Sequence, residues 1–250
     1  MFRRTLLAAT TAAFVAGVGF SATAQDTVSL RLNWYLGGLH VPFYYGKTEG
    51  FFEEEGIDLT INEGRGSGNT TQVVAAGSDT FGMADSSSLI SLAAKGAEIK
   101  SVMSLLNSTG FSVVSLAETG IREPKDLEGK SVAVSPGDPL AQLLEAVAKA
   151  NDVDISTINF VQVDPAAKVV TAREQPDHPP LGAADDQNIL ITHQGQEPHA
   201  LRKADQGANT VGMTILTQTS LIESNPDLVE RFVRASVRSW EAAMENPEAA

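Results

Sequence analysis

The chain has 250 residues, 42% of them hydrophobic, and a formal net charge of −13 at neutral pH. This hydrophobic content supports a packed core and excludes a disordered chain, while the acidic balance leaves no basic surface to attract nucleic acid or anionic lipid. The sequence contains no cysteine, which excludes disulfides, thiolate metal sites and a lipid-modified cysteine.

Residues 1–24 predict a secretory signal peptide. Arg3 and Arg4 precede an apolar run over residues 6–20, and small residues follow over 22–24. The run is too short and too rich in alanine for a membrane anchor, which needs about 20 apolar residues. Cleavage would remove two positive charges and take the net charge from −13 to −15. We therefore predict export and, most simply, a periplasmic location.

Residues 28–61 predict a strand, a helix and a second strand. Both ends of this stretch alternate apolar and polar residues with the period of a strand, and Pro42 stands in the predicted first helical turn, where its missing N–H costs least. The helix therefore begins near the carboxyl end of the first strand, where helical N–H groups commonly bind ligands. The candidate ligand-binding residues of this unit are Asn33, Trp34, His40 and Phe43.

A glycine-rich loop follows over residues 64–70. It is not a dinucleotide fingerprint, because Asn69 occupies the place of the last glycine, and it lacks the Gly-Lys-Ser/Thr of a phosphate loop. Two interpretations stay open: the loop and the next helix hold a polar ligand atom, or they form an ordinary strand-to-helix connection. The candidate contacts here are Ser67 and Gly68.

The next candidates lie where strands end. One of the serines at 86–88 is predicted to be a helix N-cap, which leaves its neighbours free to face a cleft; Ser86 is thus either a cap or a ligand contact. The polar residues 107–110 interrupt extended structure and predict a crossing between two lobes, with Ser108 as a candidate contact.

The second half repeats the strand, loop and helix pattern. A strand over residues 131–134 leads through Ser135 and Asp138 into a helix with one apolar face. Two such helix N-termini that face one another would enclose a ligand. Asp164 and Asp185 end later strands, and each is either a helix cap or an acceptor for a ligand. Residues 210–217 predict the return crossing, and a long helix follows in which Trp240 is expected in the core.

Four segments together resemble the periplasmic solute-binding proteins of ABC importers, in the branch that includes binders of thiamine pyrimidine precursors, riboflavin, and nitrate, sulfonate or taurine. They are residues 32–34 with 43–44, residues 49–59, residues 125–130 and residues 225–229. The resemblance covers residues 28–250. It implies an α/β protein with the two-lobed fold of type 2 periplasmic binding proteins, in which each lobe is a mixed sheet flanked by helices and the ligand cleft lies between the lobes.

The resemblance also implies domains and partners. Lobe 1 would comprise residues 25–108, lobe 2 residues 109–209, and residues 210–250 the return crossing and a C-terminal helix of lobe 1. A membrane permease and its ATPase would recognise the closed form, and the protein would be a monomer without a cofactor. The family continues beyond position 250 with further helices, so we expect the sequence to be truncated. Three prolines over residues 171–180 forbid a continuous helix where relatives carry a helix and a small-residue turn, so this segment is either a loop or a local sequence aberration.

The solute is predicted from aromatic and acidic residues. Four aromatic residues near the cleft favour a flat heterocycle: Trp34, Tyr35, Phe43 and Tyr44. Trp34 is the first choice, because similar pyrimidine-precursor binders use an aromatic residue near this place. Carboxylates at 164, 185 and 186 would oppose a bare anion and accept hydrogen bonds from an aminopyrimidine. We predict a thiamine precursor of the hydroxymethylpyrimidine type, with nitrate, sulfonate or taurine, and riboflavin as alternatives.

An enzyme is the main alternative class. A eukaryotic pyrimidine synthase resembles the same fold, but it uses a cysteine-rich motif that this chain lacks, and Ser67 does not stand in a G-x-S-x-G motif. The effector domain of a transcription regulator would need a DNA-binding helix pair and a cytoplasmic location.

His40 has no second histidine at metal-ligand spacing. The sequence therefore predicts a solute receptor without catalytic residues or a metal.

Overall fold

The computed structural model describes residues 25–135, 140–174, 179 and 181–250. The predicted signal peptide and Asp138 lie outside these residues. The described strands are β1 (Asp26–Arg31), β2 (Ile57–Asn62), β3 (Phe81–Asp85), β4 (Ile99–Ser104), β5 (Phe111–Leu116), β6 (Ser131–Val134), β7 (Asn159–Gln162), β8 (Leu181–Ala183), β9 (Pro198–Arg202) and β10 (Met213–Gln218). The α-helices are α1 (Val41–Thr48), α2 (Phe51–Glu54), α3 (Ser67–Ala75), α4 (Ser86–Ala93), α5 (Leu140–Ala150), α6 (Lys168–Glu174), α7 (Ala184–His193), α8 (Thr219–Ser224) and α9 (Pro226–Glu245).

The strands form two groups that belong to two lobes. In the first lobe, five strands lie in the order β2-β1-β3-β10-β4, with β1 parallel to β2 and β3, and β10 antiparallel to β3 and β4. The second lobe contains an antiparallel sheet in the order β8-β5-β9 and a parallel pair of β6 with β7. The predicted α/β architecture with two lobes and mixed sheets is confirmed.

Two crossing segments, residues 105–110 and 207–212, join the lobes. They are hydrogen-bonded to one another, because Gly212 N–H donates to Leu106 O at 2.9 Å and Thr109 N–H donates to Thr210 O at 3.0 Å. Their pairing makes the connection a short two-stranded junction, which is the arrangement expected of a hinge.

A buried carboxylate lies beside this hinge. Asp85 ends β3 and has no solvent exposure. Its side chain accepts hydrogen bonds from Ser87 N–H at 2.9 Å, from the Ser87 hydroxyl at 2.6 Å and from the Thr109 hydroxyl at 2.9 Å. Burial raises the pKa of the Asp85 carboxyl, while these hydrogen bonds and the charge of the buried Lys203 act in the opposite direction. Asp85 therefore links the first lobe to both the crossing segment and the second lobe.

The structure corrects the predicted N-cap of α4 and confirms the predicted start of α9. Asp85, and not a serine, is the N-cap of α4, because its carboxylate accepts the Ser87 N–H; a carboxylate with two oxygens can cap the helix and still bind Thr109. Helix α9 begins as predicted, with Asn225 accepting the Leu228 N–H at 3.2 Å and Pro226 in the first turn.

The 171–180 segment is only partly the predicted loop. Helix α6 continues to Glu174, two residues before Pro176, so its first four residues are helical. Residues 175–178 and 180 lie outside the described residues. The prediction for the remaining part of this segment therefore lies outside the described residues.

The first lobe is held together by packing of α9 against its sheet and against α1. Phe232 stacks on Phe81 with ring centroids 3.9 Å apart, and the ring centroid of Phe52 lies 5.7 Å from that of Phe232. Arg231 also pairs with Asp26 at 2.6 Å at the edge of this interface. The large apolar rings supply most of the stabilisation, since ion pairs that remain partly exposed contribute little. No helix within the described ranges is both long enough and apolar enough to cross a membrane.

Candidate functional site

A cavity of about 890 Å³ lies between the two lobes. This volume falls within the range of small-molecule sites. The first lobe contributes residues 33–42 and 65–69 to the wall, and the second contributes Phe111, Ser135, Lys168, Gly182, Gln187, Ile189 and Leu190. Met213, Trp240 and Met244 complete much of the remaining wall. Both lobes therefore contact the space in which a ligand would bind.

The loop after β1 is fixed against the loop after β2. Gly64 N–H donates to Trp34 O at 3.0 Å, and Gly66 N–H donates to Asn33 O at 2.8 Å. A Cβ at Gly64 would lie 1.9 Å from Leu32 O, so only glycine permits this approach of the two backbones. The contact holds Asn33 and Trp34 at the carboxyl edge of the sheet, where both line the cavity.

His40 and Asn33 form a hydrogen-bonded pair in the cavity wall. Gly37 N–H donates to His40 Nδ1 at 3.2 Å, so Nδ1 is an acceptor and the ring proton lies on Nε2. Nε2–H then donates to Asn33 Oδ1 at 2.8 Å. Burial lowers the pKa of His40 to about 4, because a charged imidazolium loses its hydration there. His40 is therefore neutral at physiological pH.

The burial of His40 predicts that the folded state is less stable in acid. The unfolded chain takes up a proton near pH 6.5 but the folded chain only near pH 4, so the free energy of unfolding falls as the pH is lowered through this window. The expected loss between pH 7.5 and pH 5 is about 2 kcal/mol. Urea denaturation at both pH values measures it. His40→Gln should remove this part of the pH dependence and the exposed His193→Gln should keep it; equal slopes in all three proteins would contradict the assignment.

Trp34 makes contacts within its own lobe and across the cleft. Its ring packs edge-on against Tyr35, with centroids 5.4 Å apart, and the Lys168 ammonium of the second lobe lies 5.6 Å from its centroid. Lys168 is 3% exposed. This cation–π contact joins the two lobes at Trp34, the residue that the sequence analysis predicted first as a ligand contact.

The predicted helix N-terminus after the glycine-rich loop lies in the wall. Helix α3 begins at Ser67, and its N-cap Gly66 offers no side-chain cap. The Ser67 hydroxyl accepts the Asp85 N–H at 3.0 Å and is thereby engaged with the backbone. Gly68 and the N–H groups of the first turn are thus better placed for a ligand than the Ser67 hydroxyl.

Ser135 lies in the opposite wall and is 7% exposed. Its Oγ has no hydrogen-bond partner among the described residues. Because a buried hydroxyl without a partner is unfavourable, such an atom commonly marks a place where a ligand or water binds. Asp138, the other candidate in this loop, lies outside the described residues.

Four predicted contacts are placed away from the cavity wall. Phe43 is fully buried and packs edge-on against Trp240, at 6.0 Å between centroids. The Ser86 hydroxyl donates to Val211 O, and the Ser108 hydroxyl donates to Asn209 Oδ1 at 2.9 Å. Both hydroxyls are therefore bonded to the crossing segment 207–212. Asp164 is exposed and accepts the Ala166 N–H at 2.9 Å, as a helix cap would. Asp185 lies in α7, and its side chain is outside what the structure describes.

The structure adds wall residues that the sequence did not indicate. Arg65 and Lys168 are cationic, and Gln187 is a buried amide. Trp240 packs in the core as expected, but it also lines the cavity. Burial of Lys168 could not be anticipated from local sequence, because lysine is rarely fully buried unless it has a partner in the tertiary structure. Gln187 was not indicated either, because α7 shows little amphipathic periodicity.

Of the three predicted carboxylates, Asp164 is the one whose side chain the structure describes, and it lies away from the cavity wall. Among the described residues that line the cavity, Arg65 and Lys168 carry positive charge and none has a carboxylate side chain. Asp164 therefore cannot oppose an anion there. Within the same described part of the chain, no three His, Asp or Glu side chains gather as a metal site.

Comparison with known proteins gives a consistent result. Residues 38–250 match the family described as NMT1/THI5 like. A formylaminopyrimidine-binding protein from Halalkalibacterium halodurans is 25% identical over 231 residues, which are 91% of this chain and 69% of that protein. A 4-amino-5-hydroxymethyl-2-methylpyrimidine phosphate synthase from Legionella pneumophila is 26% identical over 234 residues, or 92% and 73%.

The fold also matches a solved structure. The alkanesulfonate-binding protein SsuA from Xanthomonas axonopodis pv. citri, bound to MOPS, superimposes with a TM-score of 0.72 at 17% identity, over 91% of this chain and 77% of that one. The match is to the fold of periplasmic binding proteins, and at this identity it does not extend to the solute.

Proposed function

Because the chain belongs to the NMT1/THI5-like family, we propose that it is the solute-binding component of an ABC importer and binds a small flat heterocycle without turnover. A thiamine pyrimidine precursor of the hydroxymethylpyrimidine type is the solute that we favour. The observation that carries the proposal is the cavity between two hinged lobes, with Trp34 in its wall. A relative named as a formylaminopyrimidine-binding protein supports the choice of solute.

The geometry suits capture by closure of the lobes. The crossing segments are short and paired, and the wall is shared between the lobes, so a ligand that contacts both sides stabilises the closed form. The closed form is what a permease with its ATPase would recognise. Export by the predicted signal peptide would place the receptor in the periplasm, where it can meet both the solute and the permease.

The solute class can be tested by thermal unfolding of the purified protein with hydroxymethylpyrimidine, riboflavin, taurine and nitrate. A solute at 100-fold its Kd should stabilise the folded state by about 2.7 kcal/mol and raise the Tm. We expect this with the pyrimidine, which should be recovered unchanged after incubation. Stabilisation by nitrate or taurine alone would contradict the heterocycle, and conversion of the pyrimidine would contradict a receptor without chemistry.

Trp34→Ala tests the position of the ring. Loss of an aromatic stacking partner should weaken binding about tenfold, because such a contact contributes roughly 1.4 kcal/mol. Tyr44→Ala is the matched control, since Tyr44 is exposed and does not line the cavity. Titration calorimetry with the stabilising solute measures both variants. Unchanged affinity in Trp34→Ala would remove this residue from the site.

A further inference from the structure

The hydrogen-bond polarity of Asn33 is fixed before any ligand binds. His40 receives the Gly37 N–H on Nδ1 and therefore donates from Nε2 to Asn33 Oδ1. The carbonyl end of the Asn33 amide is thus occupied, and the NH₂ end is what remains for a ligand. Asn33 is half-buried and lines the cavity, so at this point the wall presents a hydrogen-bond donor.

Further donors lie beside Asn33. Gly66 N–H is bonded to Asn33 O, which places Arg65 next to Asn33 in the wall. The first turn of α3 follows directly, without a side-chain cap, and its N–H groups favour negative charge. Arg65, which is exposed, the Asn33 amide and the uncapped start of α3 therefore line one region of the cavity wall.

The opposite wall offers a second, independent indication. Ser135 is more than nine-tenths buried, and its hydroxyl has no partner among the described residues. A hydroxyl can donate to an anionic oxygen. No carboxylate side chain competes for these donors among the lining residues that the structure describes. A ligand group rich in acceptors therefore matches the donors of Asn33 and Arg65 on one wall and the Ser135 hydroxyl on the other.

We propose that the solute carries an anionic group on its ring, such as a carboxylate, a phosphate or a sulfonate. Asn33 Nδ2 and Arg65 bind this group, and Trp34 contacts the ring. His40 is a positioning residue, because it acts on the ligand only through the orientation of the Asn33 amide. The inference rests on the proposed function, since it names the chemistry of the solute that the same cavity would take.

Matched pairs of ring compounds test the charge directly. Titration calorimetry should be carried out with benzoate and benzamide, with nicotinate and nicotinamide, and with hydroxymethylpyrimidine and its phosphate; benzenesulfonate separates sulfonate from carboxylate. We expect the anionic member of at least one pair to bind at least tenfold more tightly than its neutral partner. The tightest anion identifies which of the three groups the site takes.

Three variants test the assigned residues with that anion. Asn33→Asp keeps the shape but replaces the NH₂ donor with a negative oxygen, and should weaken binding about 100-fold. Arg65→Gln should weaken it about tenfold, whereas Arg122→Gln, an exposed arginine outside the wall, should change nothing. His40→Gln should narrow the ratio of affinities between anion and neutral partner, which a purely structural role would leave constant.

The outcomes separate this inference from the function on which it rests. Tight binding of the neutral members alone, or full affinity in Asn33→Asp, would overturn the anionic group and leave the heterocycle receptor standing. Binding of taurine or nitrate without any ring compound would overturn both. A panel in which no anionic ring compound binds better than its neutral partner likewise refutes the inference.

Discussion

Asp85→Ala is expected to lower the free energy of unfolding by about 3 to 5 kcal/mol, because it removes one partner from a buried charged network. The carboxylate accepts two hydrogen bonds from Ser87 and one from Thr109, and it faces the charge of Lys203, which is 1% exposed. Alanine would leave these donors buried without their acceptor. Urea denaturation at pH 7.5 measures the difference.

Two further variants make the Asp85 prediction specific. Asp85→Asn keeps the shape and can still accept the Ser87 N–H, so it should cost less than alanine, but it removes the negative charge that faces Lys203. Asp58→Ala is the control, since Asp58 is exposed on β2, and it should change stability by no more than about 0.5 kcal/mol. If Asp85→Ala were no more destabilising than this control, the network would have no structural role.

The position of Asp85 gives this network a functional consequence. It ends β3 in the first lobe, contacts the crossing segment through Thr109, and supports Ser67 at the start of α3 through its own N–H. The hinge and the cavity wall therefore share one buried residue. A change in the angle between the lobes would alter the contact of Asp85 with Thr109 and its distance to Lys203.

The sequence predicted those features that depend on local signals. Alternating apolar residues identified β1 and β2, Pro42 marked the start of α1, and Asn225 with Pro226 marked the start of α9. Each of these signals acts within one or two turns of chain. The resemblance added the two-lobed architecture, which local patterns cannot specify because the lobes are joined through strands far apart in sequence.

The site was predicted less completely for a physical reason. A polar residue at a strand end can cap a helix, bind a neighbouring backbone or face a ligand, and only the tertiary structure decides among these. Asp164 accepts the Ala166 N–H at the start of a helical turn, and Ser86 and Ser108 are bonded to the crossing segment 207–212. Asn33, in contrast, lines the cavity. Lys168 enters the wall because α6 packs across the cleft from Trp34, a contact over more than 130 positions.

A close contact between α1 and α9 in the first lobe gives the second large effect. Gly46 of α1 is buried against α9, and a Cβ there would lie 1.7 Å from Ser239 Oγ and 2.5 Å from Ser239 Cβ. Gly46→Ala should therefore lower the free energy of unfolding by about 2 to 3 kcal/mol, although alanine alone favours a helix over glycine by about 1 kcal/mol. Gly38→Ala is the control, because nothing lies within 4 Å of its Cβ position.

A second substitution should partly restore the lost stability. Ser239→Gly removes both overlapping atoms and leaves Ser239 Cα at 3.3 Å from the new Cβ, a distance that small shifts can accommodate. The double variant should be more stable than additivity predicts by about 1 to 2 kcal/mol, as measured by a double-mutant cycle in urea. Strict additivity would contradict the contact. Because Trp240 follows Ser239 and lines the cavity, displacement of α9 by Gly46→Ala should also weaken solute binding, and the double variant should recover part of that affinity.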